Sequence, residues 1–155
     1  MTMSDYSDLE KEIESAPEPK ILPAGSEVKA RIIMVNTGIS DKNGCKWYMP
    51  VFDVPADPMV ISFSDFFWEI LDRDKLEASD YAKALNKFNK FTTAFRIDLS
   101  RPFSWTDDLP GKDGWMILGI QKDKEGVWDD KNSVKKYVVG HGSSRSKPVD
   151  DDTPF

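Results

Sequence analysis

Residues 27–36, EVKARIIMVN, alternate between apolar and polar positions, with Val28, Ala30, Ile32 and Met34 on one face and Lys29 and Arg31 on the other. A period of two marks a strand with one buried side. The Asn-Gly turn SDKNG (40–44) suits a hairpin connection, and CKWYMPVFDV (45–54) reads as the second strand. Pro50 cannot donate to a ladder, which predicts an edge or a bulge there. After PADP turns the chain, MVISFS (59–64) reads as a third strand. From Ser79 the period changes. Tyr81, Leu85, Phe88, Phe91, Thr92 and Phe95 recur at helical spacing, so this segment predicts an amphipathic helix capped by Ser79 or Asp80. WMILGIQ (115–121) and VWDDKNSVKKYVV (127–139) then supply strands four and five.

The expected class is therefore mainly β with one main helix. Three strands, a helix and a closing hairpin suit a five-stranded OB-fold, a Greek-key barrel. An antiparallel sheet with one packed helix satisfies the same pattern, and periodicity does not decide closure.

The ends differ from this body. Ser7 and Glu10 have capping-box spacing, and Leu9 with Ile13 makes a thin stripe, which predicts a short helix over 7–15. APEPKILP (16–23) is Pro-rich and reads as an extended linker. HGSSRSKPVDDD is Ser-, Gly-, Pro- and Asp-rich and is expected to be disordered. The organisation is thus an acidic segment and linker over 1–21, a folded domain over 22–140 and an acidic tail over 141–155.

Charge sharpens the division. The net charge is −6, of which residues 1–20 carry −4 and residues 141–155 carry −1, leaving the body nearly neutral. A neutral body with a local basic face is compatible with binding a polyanion. No apolar run approaches a membrane span, and the N-terminus has neither a basic nor an apolar leader region. A single cysteine, Cys45, excludes an internal disulfide. A cytoplasmic setting is expected.

Signals for catalysis are sparse. The one histidine, His141, falls in the tail, and neither a phosphate-binding nor a dinucleotide-binding glycine motif is present. Asp107, Asp108, Asp113, Asp129 and Asp130 are the material for a metal-dependent nuclease, but most sit beside turn residues, where solvated carboxylates are common. No enzymatic activity, cofactor or metal is expected. The aromatics are more informative. Of Trp47, Trp68, Trp105, Trp115 and Trp128, Trp47 falls opposite Tyr48, Phe52 and Val54 by alternation, and Trp115 falls opposite Met116, Leu118 and Ile120. Trp128 lies beside the closing turn. Lys29, Arg31, Lys42, Lys46, Lys122, Lys124, Lys135 and Lys136 share these strands and turns, with Tyr137 beside them. Stacking surfaces interleaved with cations are what a single-stranded nucleic acid requires. A solvated sheet face whose lysines deter edge pairing has the same composition.

The last residues separate the two. DDDTPF resembles the acidic tip of bacterial single-stranded DNA-binding proteins, Asp-Asp-Asp-Ile-Pro-Phe, with five of six positions matching and Thr153 departing. Over about residues 22–140 the body resembles phage-encoded OB-fold DNA-binding proteins in plan, through LPAGSEVKARI, SDKNGCKWYMPVFDV, KALNKFNKF, LPGKDGWMILGI and NSVKKYVV. It is less similar to the bacterial body, because the helical segment here is bulkier. The resemblance implies a protein that coats and protects single-stranded DNA without reading sequence, in phage replication and recombination within the host cytoplasm. It also implies a tip of Asp150, Asp151, Asp152, Pro154 and Phe155 that recruits replication, recombination and repair proteins. Phe155 would contribute about 1.5–3 kcal/mol on full burial in a partner, and the aspartates suit a basic rim. The alternatives are the nuclease and a decoy that occupies host pockets without binding DNA. Self-association and DNA versus RNA preference stay open.

Overall fold

A computed structural model describes residues 3–122, 124–127 and 129–140. Its organising element is a long strand, β1 (Glu27–Ile39), which has different partners along its two halves. The first half pairs antiparallel with β5 (Asp113–Gln121), from Glu27 opposite Ile117 to Arg31 opposite Asp113. The second half pairs antiparallel with β2 (Lys46–Asp53), from Arg31 opposite Asp53 to Ile39 opposite Lys46. The changeover coincides with an irregularity between Ile32 and Met34, where an extra residue is accommodated opposite Phe52 and Val51. Such a bulge bends a strand and raises its twist. It also reverses the alternation. Ile32 is buried before it and Val35 after it, while Ile33 and Met34 are exposed. Met34 therefore leaves the core face on which strict alternation places it.

The predicted third strand is divided. β3 (Phe63–Ser64) pairs with Val51 and Phe52, and β4 (Phe67–Trp68) pairs with Trp47 and Tyr48. Pro50 lies opposite the gap between them and accepts the amide of Asp65 at 3.2 Å. In an antiparallel strand one residue's N–H and C=O point the same way, so the missing donor faces this break. Pro50 is therefore neither at an edge nor in a bulge. Upstream of β3, Lys20 and Val60 form an isolated parallel bridge. β6 (Lys131–Tyr137) pairs with β5 and completes the order β3-β2-β1-β5-β6, with β4 beside β2. Among the described residues the sheet thus has six strands rather than five, all in antiparallel pairs.

α2 (Ala78–Ala94) spans the predicted helical segment, with Glu77 at its N-terminal boundary in place of Ser79 or Asp80. Phe91, Phe95, Ala94 and Thr92 are buried against the sheet, whereas Leu85 is exposed. The helix ends where Ile97 donates to Thr92 and Arg96 adopts a left-handed φ of 55°. A single turn, α3 (Trp105–Asp108), delivers Trp105 to the core. There the indole stacks on Tyr48 at 4.4 Å and 3°, and Phe91 lies parallel to it at 5.7 Å. α1 (Glu10–Glu14), preceded by a 3-10 turn over Ser7–Leu9, is exposed, including Leu9 and Ile13. The expected capping box is absent: Ser7 donates to Asp5 instead. The Pro-rich linker is pinned at its end, because the buried Asn132 amide accepts from Leu22 N and donates to Leu22 O.

The two ends of the strand order, β3 and β6, lie against each other. Side chains join them. Asp65, just after β3, accepts the Tyr137 hydroxyl at 2.6 Å from β6 and the Lys87 ammonium at 2.7 Å from α2. Asp65→Ala would strand a buried phenol and lose a charge-assisted bond, so a destabilisation of about 2–3 kcal/mol is expected, discounted for the partial exposure of Lys87. A thermal midpoint equal to that of the parent would refute this role.

Burial, and then the Asp65 charge, push the Tyr137 phenol well above its usual range. Burial, and then the bond to Glu69, do the same for Tyr48, which donates to Glu69 at 2.9 Å. Native protons held more tightly than in the unfolded chain give stability that is complete below the unfolded value of about 10 and lost as pH rises beyond it. A tyrosinate absorbance titration should therefore show Tyr48 and Tyr137 ionising only as the protein unfolds.

Candidate nucleic-acid interface

Strand alternation in β2 sends Tyr48, Pro50 and Phe52 inward and leaves Trp47, Met49 and Val51 half-buried on the outer face. Trp47 lies opposite Gly38 of β1 on one side and Trp68 of β4 on the other. Its indole crosses β1 at close range: a Cβ on Gly38 would stand 2.5 Å from the ring. Glycine is what lets the ring lie flat there. Phe66 packs against Trp47 at 5.9 Å and meets Trp68 edge-on at 4.8 Å. Trp47, Phe66 and Trp68 together form an aromatic platform on the outer face. Beside it, Phe66, Trp68, Asp80, Lys83 and Lys87 border a notch of about 210 Å³.

Trp115 also faces outward, half-buried, opposite Lys29. Lys29 and Gly38 are nine positions apart on β1 with the bulge between them, a separation of at most roughly 30 Å at about 3.3 Å per residue. Trp47 and Trp115 therefore stand beside opposite ends of β1.

The cations divide as well. Lys29 stands 3.8 Å from Asp113, whose carboxylate also takes Arg96 at 3.1 Å. Arg31 makes two bonds to Asp53, at 3.2 and 2.7 Å, which hold its guanidinium still more firmly protonated. Both residues are already compensated by carboxylates on their own face. Lys42 is exposed in the first hairpin, and Lys46 is exposed 5.4 Å from the Tyr48 ring. Lys122 and Lys124 are exposed between β5 and β6. Lys135 and Lys136 are exposed on β6 and border a groove against α2 rather than the platform. Tyr137 is 7% exposed. With its ring in the core and its hydroxyl on Asp65, it is not available to stack on a base. Trp128 and the tip residues Asp150, Asp151, Asp152, Pro154 and Phe155 lie outside the described residues.

Phe66 and Trp68 are the participants that sequence reasoning missed. FFW (66–68) spans a two-residue strand, too short for its period to be read. Among the described residues, no three His, Cys, Asp or Glu side chains gather as metal ligands. Asp108 instead accepts the amide of Ser104. No described helix is long and apolar enough to cross a membrane.

A scan against protein-family models finds no match for the chain, and a search of curated proteins finds none.

The contact over Gly38 has a measurable consequence. The atoms that a new methyl would meet are the far end of a half-buried ring, which can swing away. Gly38→Ala should therefore cost about 1–3 kcal/mol of stability while shifting Trp47 emission to the red. A Gly38→Ala/Trp47→Phe control isolates that signal. An unchanged emission spectrum would show that the ring does not lie over β1.

Proposed function

We propose that this protein binds single-stranded DNA without sequence preference, coating and protecting it during replication and recombination. The observation that carries this reading is the platform of Trp47, Phe66 and Trp68 on the outside of a curved antiparallel sheet, with lysines around it. Aromatic faces accept any base, and lysines accept the phosphates between them. The strand order supports an OB-fold, with β3 and β4 together taking the place of one barrel strand and the approach of β3 to β6 completing the circuit. In this reading the terminal DDDTPF is a recruiting tip. Its resemblance to the tip of bacterial single-strand-binding proteins points to replication, recombination and repair proteins as its partners, and to the bacterial cytoplasm as its place of work.

The pairing of Lys29 and Arg31 qualifies the mechanism. A phosphate that approaches either must compete with Asp113 or Asp53, so these cations release fewer counterions than isolated ones. The platform is the stronger anchor.

Tryptophan fluorescence titration of the full chain with oligo(dT), and with duplex of equal length, tests the reading. Quenching by the single strand, a weak response to duplex and affinity that falls with salt are expected. Trp47→Ala and Trp68→Ala should each weaken binding by about 1–3 kcal/mol, and Trp115→Ala by less. No response to oligo(dT) at low salt would overturn the proposal.

A further inference from the structure

Lys83, Lys87 and Lys90 follow one another at i, i+4 and i+7 along α2, which sets them on one flank of the helix. Lys83 and Lys87 border the notch beside Phe66 and Trp68. Lys87 and Lys90 border a second cavity, a groove of about 550 Å³ between α2 and β6, whose opposite wall carries Lys135 and Lys136. Lys87 borders both, so the notch and the groove lie on either side of one side chain. Val134, Val138 and Val139 supply apolar surface in the groove.

Among the described residues, no carboxylate forms a salt bridge with Lys83, Lys90, Lys135 or Lys136. Two carboxylates border the path. Asp80 lies in the notch, and Asp65 in the groove is already committed to Lys87 and Tyr137. The groove therefore keeps an excess of positive charge. This is the reverse of the strand face, where Lys29 and Arg31 are each matched by an aspartate. Lys83 and Lys90 are separated by about 10 Å of helix, at about 1.5 Å per residue. A single phosphate group cannot meet them all, but a run of phosphates can.

The geometry points to the α2–β6 groove as a phosphate track for single-stranded nucleic acid, continuous with the aromatic platform and entered through the notch at Phe66 and Trp68. This rests on the single-strand-binding reading and adds where the backbone runs. Bases stack on the platform, and the strand then follows the lysine flank of α2 between Lys90 and the two β6 lysines. Continuity with the aromatic rings favours a nucleic acid over an acidic peptide as the occupant.

The test uses the full chain and a Lys90→Gln/Lys135→Gln/Lys136→Gln variant, which leaves Lys87 to its structural partner Asp65. All three lysines are exposed and should tolerate substitution, which an unchanged thermal midpoint verifies. Both proteins are titrated across a salt series with oligo(dT) of about 4 and about 12 nucleotides, lengths that span the site sizes of single-strand-binding domains. The peptide Asp-Asp-Asp-Thr-Pro-Phe is titrated separately by calorimetry. For the longer oligomer, the variant should lose affinity, and its log–log salt slope should shrink by about 0.7 per lysine, roughly 2 in all. The shorter oligomer, held by the platform, should change little. If the parent binds the longer oligomer and the variant matches it in affinity and slope, the track is wrong and the single-strand reading stands. If the parent binds neither oligomer, the reading itself fails, and the track with it. If the variant loses the peptide but not the DNA, the track is overturned and the groove is a dock for acidic peptide.

Discussion

The carboxylate of Asp65 is where the fold and the candidate site meet. It receives a hydroxyl from β6 and an ammonium from α2, and so ties together elements far apart in sequence. The same residue starts the platform, since Phe66 N donates to Asp65 Oδ1 and Phe66 and Trp68 follow directly. Both donors to the clasp, Lys87 and Tyr137, are also walls of the α2–β6 groove. A half-buried charge with few solvent contacts strengthens such bonds, and makes leaving them unmade expensive. The position of the rings, the flank of the helix and the shape of the groove all depend on this one junction.

A second theme is that cations of one kind occupy two electrostatic situations. On the β1 face, Lys29 stands near Asp113 and Arg31 is hydrogen-bonded to Asp53, each aspartate one strand away. Around the groove between α2 and β6, Lys90, Lys135 and Lys136 form no salt bridge among the described residues, and Lys87 alone is paired, with Asp65. A nearly neutral body can thus carry a local basic path, because its compensating carboxylates are concentrated elsewhere.

Much of this was legible in the residues. The period-two runs located four of the strands, and the 3.6 period located α2, because burial on one face imposes those repeats. The inward set Tyr48, Phe52 and Val54 and the outward Trp47 and Trp115 were read correctly for the same reason. What failed were the places where long-range geometry overrides a local period. The bulge at Ile33 reversed the faces of β1 beyond it, which exposed Met34 and buried Val35. Tyr137 sits on a strand beside two exposed lysines, but the clasp to Asp65 and the packing of α2 turned it from surface to core.

By itself, then, the sequence determined four of the strands and the main helix, which rings of β2 and β5 face outward, and that charge is concentrated toward the chain's ends. These follow from patterns a few residues long. Only the tertiary structure decided that Trp47 finds Phe66 and Trp68 as neighbours, that Trp115 lies remote from them, that Lys29 and Arg31 are already partnered, and that helix lysines unmarked by any motif face those of β6. Each of these is a matter of distance across the sheet or between its two edges. Register, the bulge and the approach of β3 to β6 set such distances, and no local period encodes them.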